Sequence, residues 1–222
     1  LEKLALILVT TVAGAGIGFL IPFIVDKIII YKCGKTGKPL PKYGYSYLGR
    51  AIIIVISAAL AALCADCVPP IQIIFYVLFA TAAIIGTIID NKLQIIPNEL
   101  VLALLAVGLI YRLLVSDFKG LLDSLIALLI VFAIFAVAAA ATKFISKNIG
   151  VGAGDMKLAA VAAFIVSLSG MFYFLIGLAV SIGIYCIGGL ILKTLTPKST
   201  FPMCGYIMAG FLIALYIPYF VK

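Results

Sequence analysis

Two aspartates close otherwise apolar runs. Asp90 ends the stretch Ile88-Ile89-Asp90-Asn91-Lys92, and Asp155 follows Gly150-Val151-Gly152-Ala153-Gly154 and precedes Met156-Lys157. An ionisable group at the margin of a membrane span is costly to keep and is retained for chemistry. Glycines at 150, 152 and 154 let the backbone beside Asp155 approach another chain closely. Two carboxylates can hydrolyse an amide when one is ionised and activates water while the other is protonated and donates to the carbonyl oxygen. Close like charges do not both ionise cheaply, so proximity itself divides the pair into acid and base. The chain contains no histidine, which removes Ser-His and Cys-His triads and leaves carboxylate or lysine chemistry. Lys157, two residues past Asp155, opposes the neutral form if it points inward.

The elements that must hold these residues are membrane helices. Of 222 residues 66% are apolar and 11% charged, with a mean hydropathy of +1.34, more apolar surface than a soluble domain can hide. A bilayer core about 30 Å thick takes roughly 20 apolar residues per helical span. The apolar runs are solid, without the alternation of an outer-membrane barrel. We expect an all-α polytopic membrane protein of about eight transmembrane helices, near 4–25, 51–63, 70–89, 96–115, 121–141, 157–168, 171–192 and 201–221. The second and sixth are short and must extend, tilt or sit in thinned membrane. The chain reads as one membrane domain, 1–222, in which residues 1–69 supply two spans and residues 70–222 a six-span core. The first span is long for a signal core and lacks a small-residue cleavage site, so we expect it to be retained. Asp26 to Arg50, with Gly34, Gly37, Pro39, Pro41 and Gly44, reads as an irregular basic loop.

Charge fixes the orientation. With alternate loops inside, Lys27, Lys32, Lys35, Lys38, Lys42, Arg50, Lys92, Lys143, Lys147, Lys157, Lys193 and Lys198 face the cytoplasm, 12 of the 16 basic residues. Lys3, Arg112, Lys119 and Lys222 fall outside. This obeys the positive-inside rule. It places both termini outside and both aspartates at the cytoplasmic face of a multi-pass protein in the cell membrane. The net charge of +8 then reports topology and lipid contact, with no nucleic acid among the partners.

The segment Gly150-Val-Gly-Ala-Gly-Asp-Met-Lys-Leu158 resembles the Gly-x-Gly-x-Gly-Asp-x-Lys-Leu stretch of the type IV prepilin peptidases. Asp90-Asn-Lys-Leu-Gln-Ile-Ile-Pro-Asn98 resembles their other aspartate motif, and Phe201-Pro-Met-Cys-Gly205 is similar to a Pro-containing segment in their last span, from which Met203 and Cys204 depart. The resemblance runs from about Pro70 to the C-terminus. It implies an aspartic endopeptidase with Asp90 and Asp155 as catalytic residues, no cofactor and no metal in the chemistry. The partners it implies are prepilin-like precursors, cleaved at the junction of a basic leader and an apolar helix to serve pili or secretion. Gly150, Gly152, Gly154, Lys157, Pro97 and Asn98 take supporting or substrate-binding roles. Many larger members carry two close cysteine pairs after the first span and resemble zinc proteins. Here that loop keeps only Cys33, while Cys64 and Cys67 fall at the outer end of the second span, so neither a four-thiolate site nor the N-methyltransferase activity of the larger members is supported. A Cys64–Cys67 disulfide is open on the oxidising side, and Cys186 and Cys204 read as packing residues.

Each feature has a plainer explanation. Asp90 can be a helix end in interfacial water, Asp155 can lie in a first helical turn where the dipole favours an anion, and Pro97-Asn98-Glu99 is an ordinary helix opening. Two other functional classes remain. A presenilin-like or signal-peptide-peptidase-like intramembrane protease also uses Gly-x-Gly-Asp, but pairs it with Tyr-Asp and Pro-Ala-Leu, and here Ile89 precedes Asp90. A cation- or proton-coupled transporter would use the same aspartates on broken helices near the midplane, whereas both sit at the ends of their runs.

Overall fold

The computed structural model describes residues 2–37, 40, 45–146, 152–192 and 202–220. Among them are seven helices and no strand: α1 (Glu2–Thr36), α2 (Tyr47–Cys67), α3 (Pro70–Leu93), α4 (Asn98–Val115), α5 (Phe118–Ser146), α6 (Ala153–Ile191) and α7 (Cys204–Phe220). The first six are long and apolar enough to cross a membrane, and α7 is a shorter apolar helix. Large apolar side chains such as Leu102, Leu129, Val137 and Ile184 lie exposed, as expected of helices long and apolar enough to cross a membrane. The chain is an all-helical multi-pass membrane protein.

Two compact units divide it at Gln94, Leu1–Gln94 and Ile95–Lys222. In the first unit, α1 and α3 run parallel and touch, α2 runs antiparallel to α1 and packs on both, and the α1–α2 crossing is tight because glycine permits it. A Cβ on Gly14 would lie 2.5 Å from Ala61 Cβ and 2.7 Å from the Ser57 carbonyl oxygen, and one on Gly18 would lie 2.8 Å from Ile54 Cα. Glycines four apart on one face let membrane helices touch at the backbone, where dispersion rather than hydrophobicity drives association. Polar pairs bracket the apolar length. Lys3 meets Asp66 at 2.8 Å at one end, and Lys92 meets Asp26 at 3.8 Å at the other.

The second unit is built around α6, which packs against α4, α5 and α7 and buries residues 158–166 without a break. Its crossing with α7 again uses glycine, since a Cβ on Gly210 would stand 2.7 Å from the Leu178 nitrogen. Asn98 lies beside Lys157 and Gly108 beside Ile165, so α4 and the first half of α6 run parallel.

The helix boundaries depart furthest from the sequence reading in three places. The loop expected from Asp26 is helical to Thr36, because Ile28, Ile29 and Ile30 continue the apolar helix and only Gly37, at φ +67°, stops it. The second span grows to 21 residues by taking in Tyr47–Arg50 and Cys64–Cys67. The sixth and seventh spans share α6, whose halves meet at Ser167 with φ 63° and ψ −179°. A single residue there replaces the expected connection at 169–170. The break deprives the Phe164 carbonyl of its usual helical donor at residue 168, and Arg112 Nε on α4 donates to it at 3.5 Å. The half before the break, 153–166, is roughly 21 Å long at 1.5 Å per residue, too short to cross a bilayer core alone.

Candidate active site

Asp90 stands in the last turn of α3. Pro70 opens that helix, and Gln94 ends it in a left-handed conformation, φ 52°, with its N–H donated to the Asp90 carbonyl at 2.8 Å. The side chain falls on the buried stripe of Tyr76, Phe79, Ala83, Gly86 and Leu93 and is 5% exposed. Among the described residues it is the only Asp, Glu, Lys or Arg side chain buried to that degree. A carboxyl so placed is costly to hold unless its oxygens are partnered.

A cluster that the sequence reading did not single out lies two residues further on. Lys92 Nζ sits 3.8 Å from Asp26 Oδ1 and 3.8 Å from the centre of the Tyr45 ring. Asp26 Oδ1 and the Tyr45 hydroxyl are buried and have no hydrogen-bond partner. Burial pushes the Tyr45 phenol up to about 12, and the Asp26 charge acts in the same direction, so the ring stays neutral at any physiological pH. Asp26 carried the signal used for Asp90, a carboxylate in an apolar run.

Asp155 occupies the first turn of α6. Gly152 is the N-cap and Asp155 the third helical residue, where unpaired N–H groups and the positive end of the helix dipole face an anion. The carboxylate folds back over that turn, and a Cβ on Gly152 would lie 2.8 Å from Asp155 Oδ2. Only glycine leaves this space. Gly154 serves another contact: its Cβ would lie 3.2 Å from Ile96 Cβ. Pro97 caps α4, its carbonyl accepting from the Leu100 and Val101 N–H groups. Asn98 Oδ1 then accepts from Lys157 Nζ at 3.4 Å. The Ile-Pro-Asn segment therefore rests on the Gly-Asp-Met-Lys segment at one end of the second unit. Asp90 belongs to the first unit and Asp155 to the second. Gly150 lies outside the described residues.

None of the five cysteines is disulfide-bonded. Among the described residues no three Cys, Asp or Glu side chains gather at one place as metal ligands would.

The sequence profile of the type IV leader peptidase family matches residues 74–187, from within α3 to within α6. Both aspartate motifs fall inside that segment, which is just over half of the chain. No curated protein and no solved structure matches.

Proposed function

Because the chain belongs to the type IV leader peptidase family, and so to a family of membrane peptidases, we propose that it is an aspartyl endopeptidase in which Asp90 and Asp155 form the catalytic pair. Its substrates are prepilin-like precursors with a basic leader and an apolar helix, cut at the cytoplasmic face of the cell membrane. The observation that carries this reading is the opposite setting of the two carboxylates. Asp155 lies at a helix N-terminus, which favours the anion that activates water. Asp90 is buried in the last turn of a helix, and in this reading it takes the part of the acid. An ionised base and a protonated acid are what a two-carboxylate hydrolysis requires.

In the proposed reaction Asp155 takes a proton from water as the water attacks the scissile carbonyl. Asp90 donates its proton to the developing oxyanion, giving a tetrahedral diol; the proton held by Asp155 then passes to the amine as the C–N bond breaks, and a diol hydroxyl returns a proton to Asp90 as the carboxyl product forms. The Gly152 and Gly154 region leaves backbone space beside Asp155 for an extended substrate strand. The basic residues of the inner loops orient the enzyme without attracting a basic leader, so the leader is read by its position at the membrane surface.

The test is coexpression with a precursor carrying a lysine-rich leader and an apolar helix, followed by mass spectrometry of the product. Cleavage at the junction of leader and helix supports the reading. Cleavage inside the apolar helix, or of a precursor with its lysines moved to the outer side, contradicts it.

A further inference from the structure

The break at Ser167 leaves the half-helix that carries Asp155, residues 153–166, without continuous helical hydrogen bonding at its far end. The parallel helix α4 touches it at both ends. At the Asp155 end, Asn98 Oδ1 accepts from Lys157 Nζ at 3.4 Å, and Ile96 packs against Gly154. At the far end, a Cβ on Gly108 would stand 2.5 Å from Ile165 Cγ1, and Arg112 Nε donates to the Phe164 carbonyl at 3.5 Å. The same guanidinium donates from Nη1 to Ser116 Oγ at 3.1 Å. Ser116 is the C-cap of α4, with its own N–H donated to the Arg112 carbonyl at 2.9 Å. Arg112 thus ties the end of one helix to the end of the other. A guanidinium suits this place, because the half-helix ends in released carbonyls and the negative end of its dipole, and the rigid fork of N–H groups serves two acceptors at once. Ser167 takes a positive φ that serine rarely adopts and is 5% exposed, so the surroundings rather than local preference hold the break.

Building on the reading of Asp155 as the base, we infer that α4 is a brace that fixes where Asp155 stands along the axis of its half-helix, with Arg112 and Gly108 as the positioning residues. Neither touches the carboxylate; both sit at the opposite end of the rod. A helix is stiff over this length, and residues 158–166 are all buried, so a shift along the axis at Phe164 reappears undiminished at Asp155. The contacts at the Asp155 end, one between exposed side chains and one against a glycine, do not by themselves stop such a slide. Close packing at Gly108 and the bond to the Phe164 carbonyl do.

The experiment measures kcat and KM of the purified protein on a synthetic precursor with a lysine-rich leader and an apolar segment, beside amide hydrogen exchange of the same samples. A displacement of about 1 Å at a reacting group costs on the order of 100-fold, so Arg112→Met should lower kcat about tenfold or more and leave KM within about twofold. Exchange should quicken in 153–166 and stay unchanged in α5. Arg112→Lys keeps the charge and a donor and should hold kcat within about threefold of wild type. Gly108→Val pushes the half-helix off α4 without touching the charge and should repeat the loss of kcat, which carries the test even where Arg112→Met does not insert. Leu113→Ala, exposed on the next position of α4, should change nothing. Wild-type kcat in Gly108→Val and in any inserted Arg112→Met, a loss borne by KM instead, or exchange quickened equally in α5 and α6 overturns the inference while leaving the dyad standing, provided D90N and D155N are inactive. Near wild-type cleavage by D90N or D155N overturns the dyad, and this inference with it.

Discussion

Gly152 leaves the space that the Asp155 carboxylate occupies. A methyl group there would stand 2.8 Å from Asp155 Oδ2, so Gly152→Ala must rotate the carboxylate out of its place over the first turn of α6. A displacement of about 1 Å at a reacting group costs on the order of 100-fold in rate, and we expect a kcat loss of at least tenfold with normal membrane yield. Gly154→Ala meets the Ile96 side chain at 3.2 Å, which can yield by a few tenths of an ångström, and should lose less. Equal rates in wild type and Gly152→Ala would show that this carboxylate position is not the active one. At this scale the sequence was legible where chemistry is local. Asp90, Asp155 and the glycine spacing could be read directly because each departs from the apolar run around it. Asp26 departs in the same way, yet Gly34 and the prolines after it drew the loop boundary back to residue 26 and hid it. Its pairing with Lys92 joins residues 66 positions apart, and no short-range pattern encodes that.

Among the elements, close packing at glycine decides where the helices touch. Gly14 and Gly18 sit against α2, while Gly16, between them, faces open space. Gly14→Val therefore has to push α1 and α2 apart, at a cost of about 1–3 kcal/mol, and should lower the temperature at which the detergent-solubilised protein aggregates. Gly16→Ala should leave that temperature unchanged. An equal effect of both would mean the two helices do not cross at Gly14. Hydropathy alone located the apolar helical segments, though not their number, since solid apolar runs of bilayer length have few other fates. It did not locate their ends. Tyr47–Arg50 extends α2 because a polar first turn is compatible with helix, with the Ser46 hydroxyl accepting from the Gly49 N–H. The break at Ser167 was not legible, because serine rarely adopts a positive φ and nothing in Val166-Ser167-Leu168 announces one. Arg112, which satisfies the carbonyl released there, read only as an outer-face charge.

For the molecule as a whole, the long first helix sets a testable geometry. Thirty-five residues make a helix of about 52 Å, which exceeds a bilayer core by roughly 20 Å, and the basic residues Lys27, Lys32 and Lys35 lie in its final turns. With the inner side basic, a single thiol at Lys35→Cys in a cysteine-free background should resist an impermeant maleimide in intact cells and react once the membrane is opened. Reaction in intact cells would reverse the orientation and move the proposed active face to the outside. The central claim is that Asp90 and Asp155 are one catalytic pair, and the most direct test is precursor cleavage by purified Asp90→Asn, Asp155→Asn and the double variant, each inserted and folded as wild type. An amide keeps the shape of the side chain but can neither take nor give the proton. Groups that act as a unit also fail together, so the double variant should be no worse than either single one. The account predicts activity reduced at least 1000-fold, on the order expected for loss of a catalytic group, in all three proteins. Cleavage by either single variant at near the wild-type rate would contradict it.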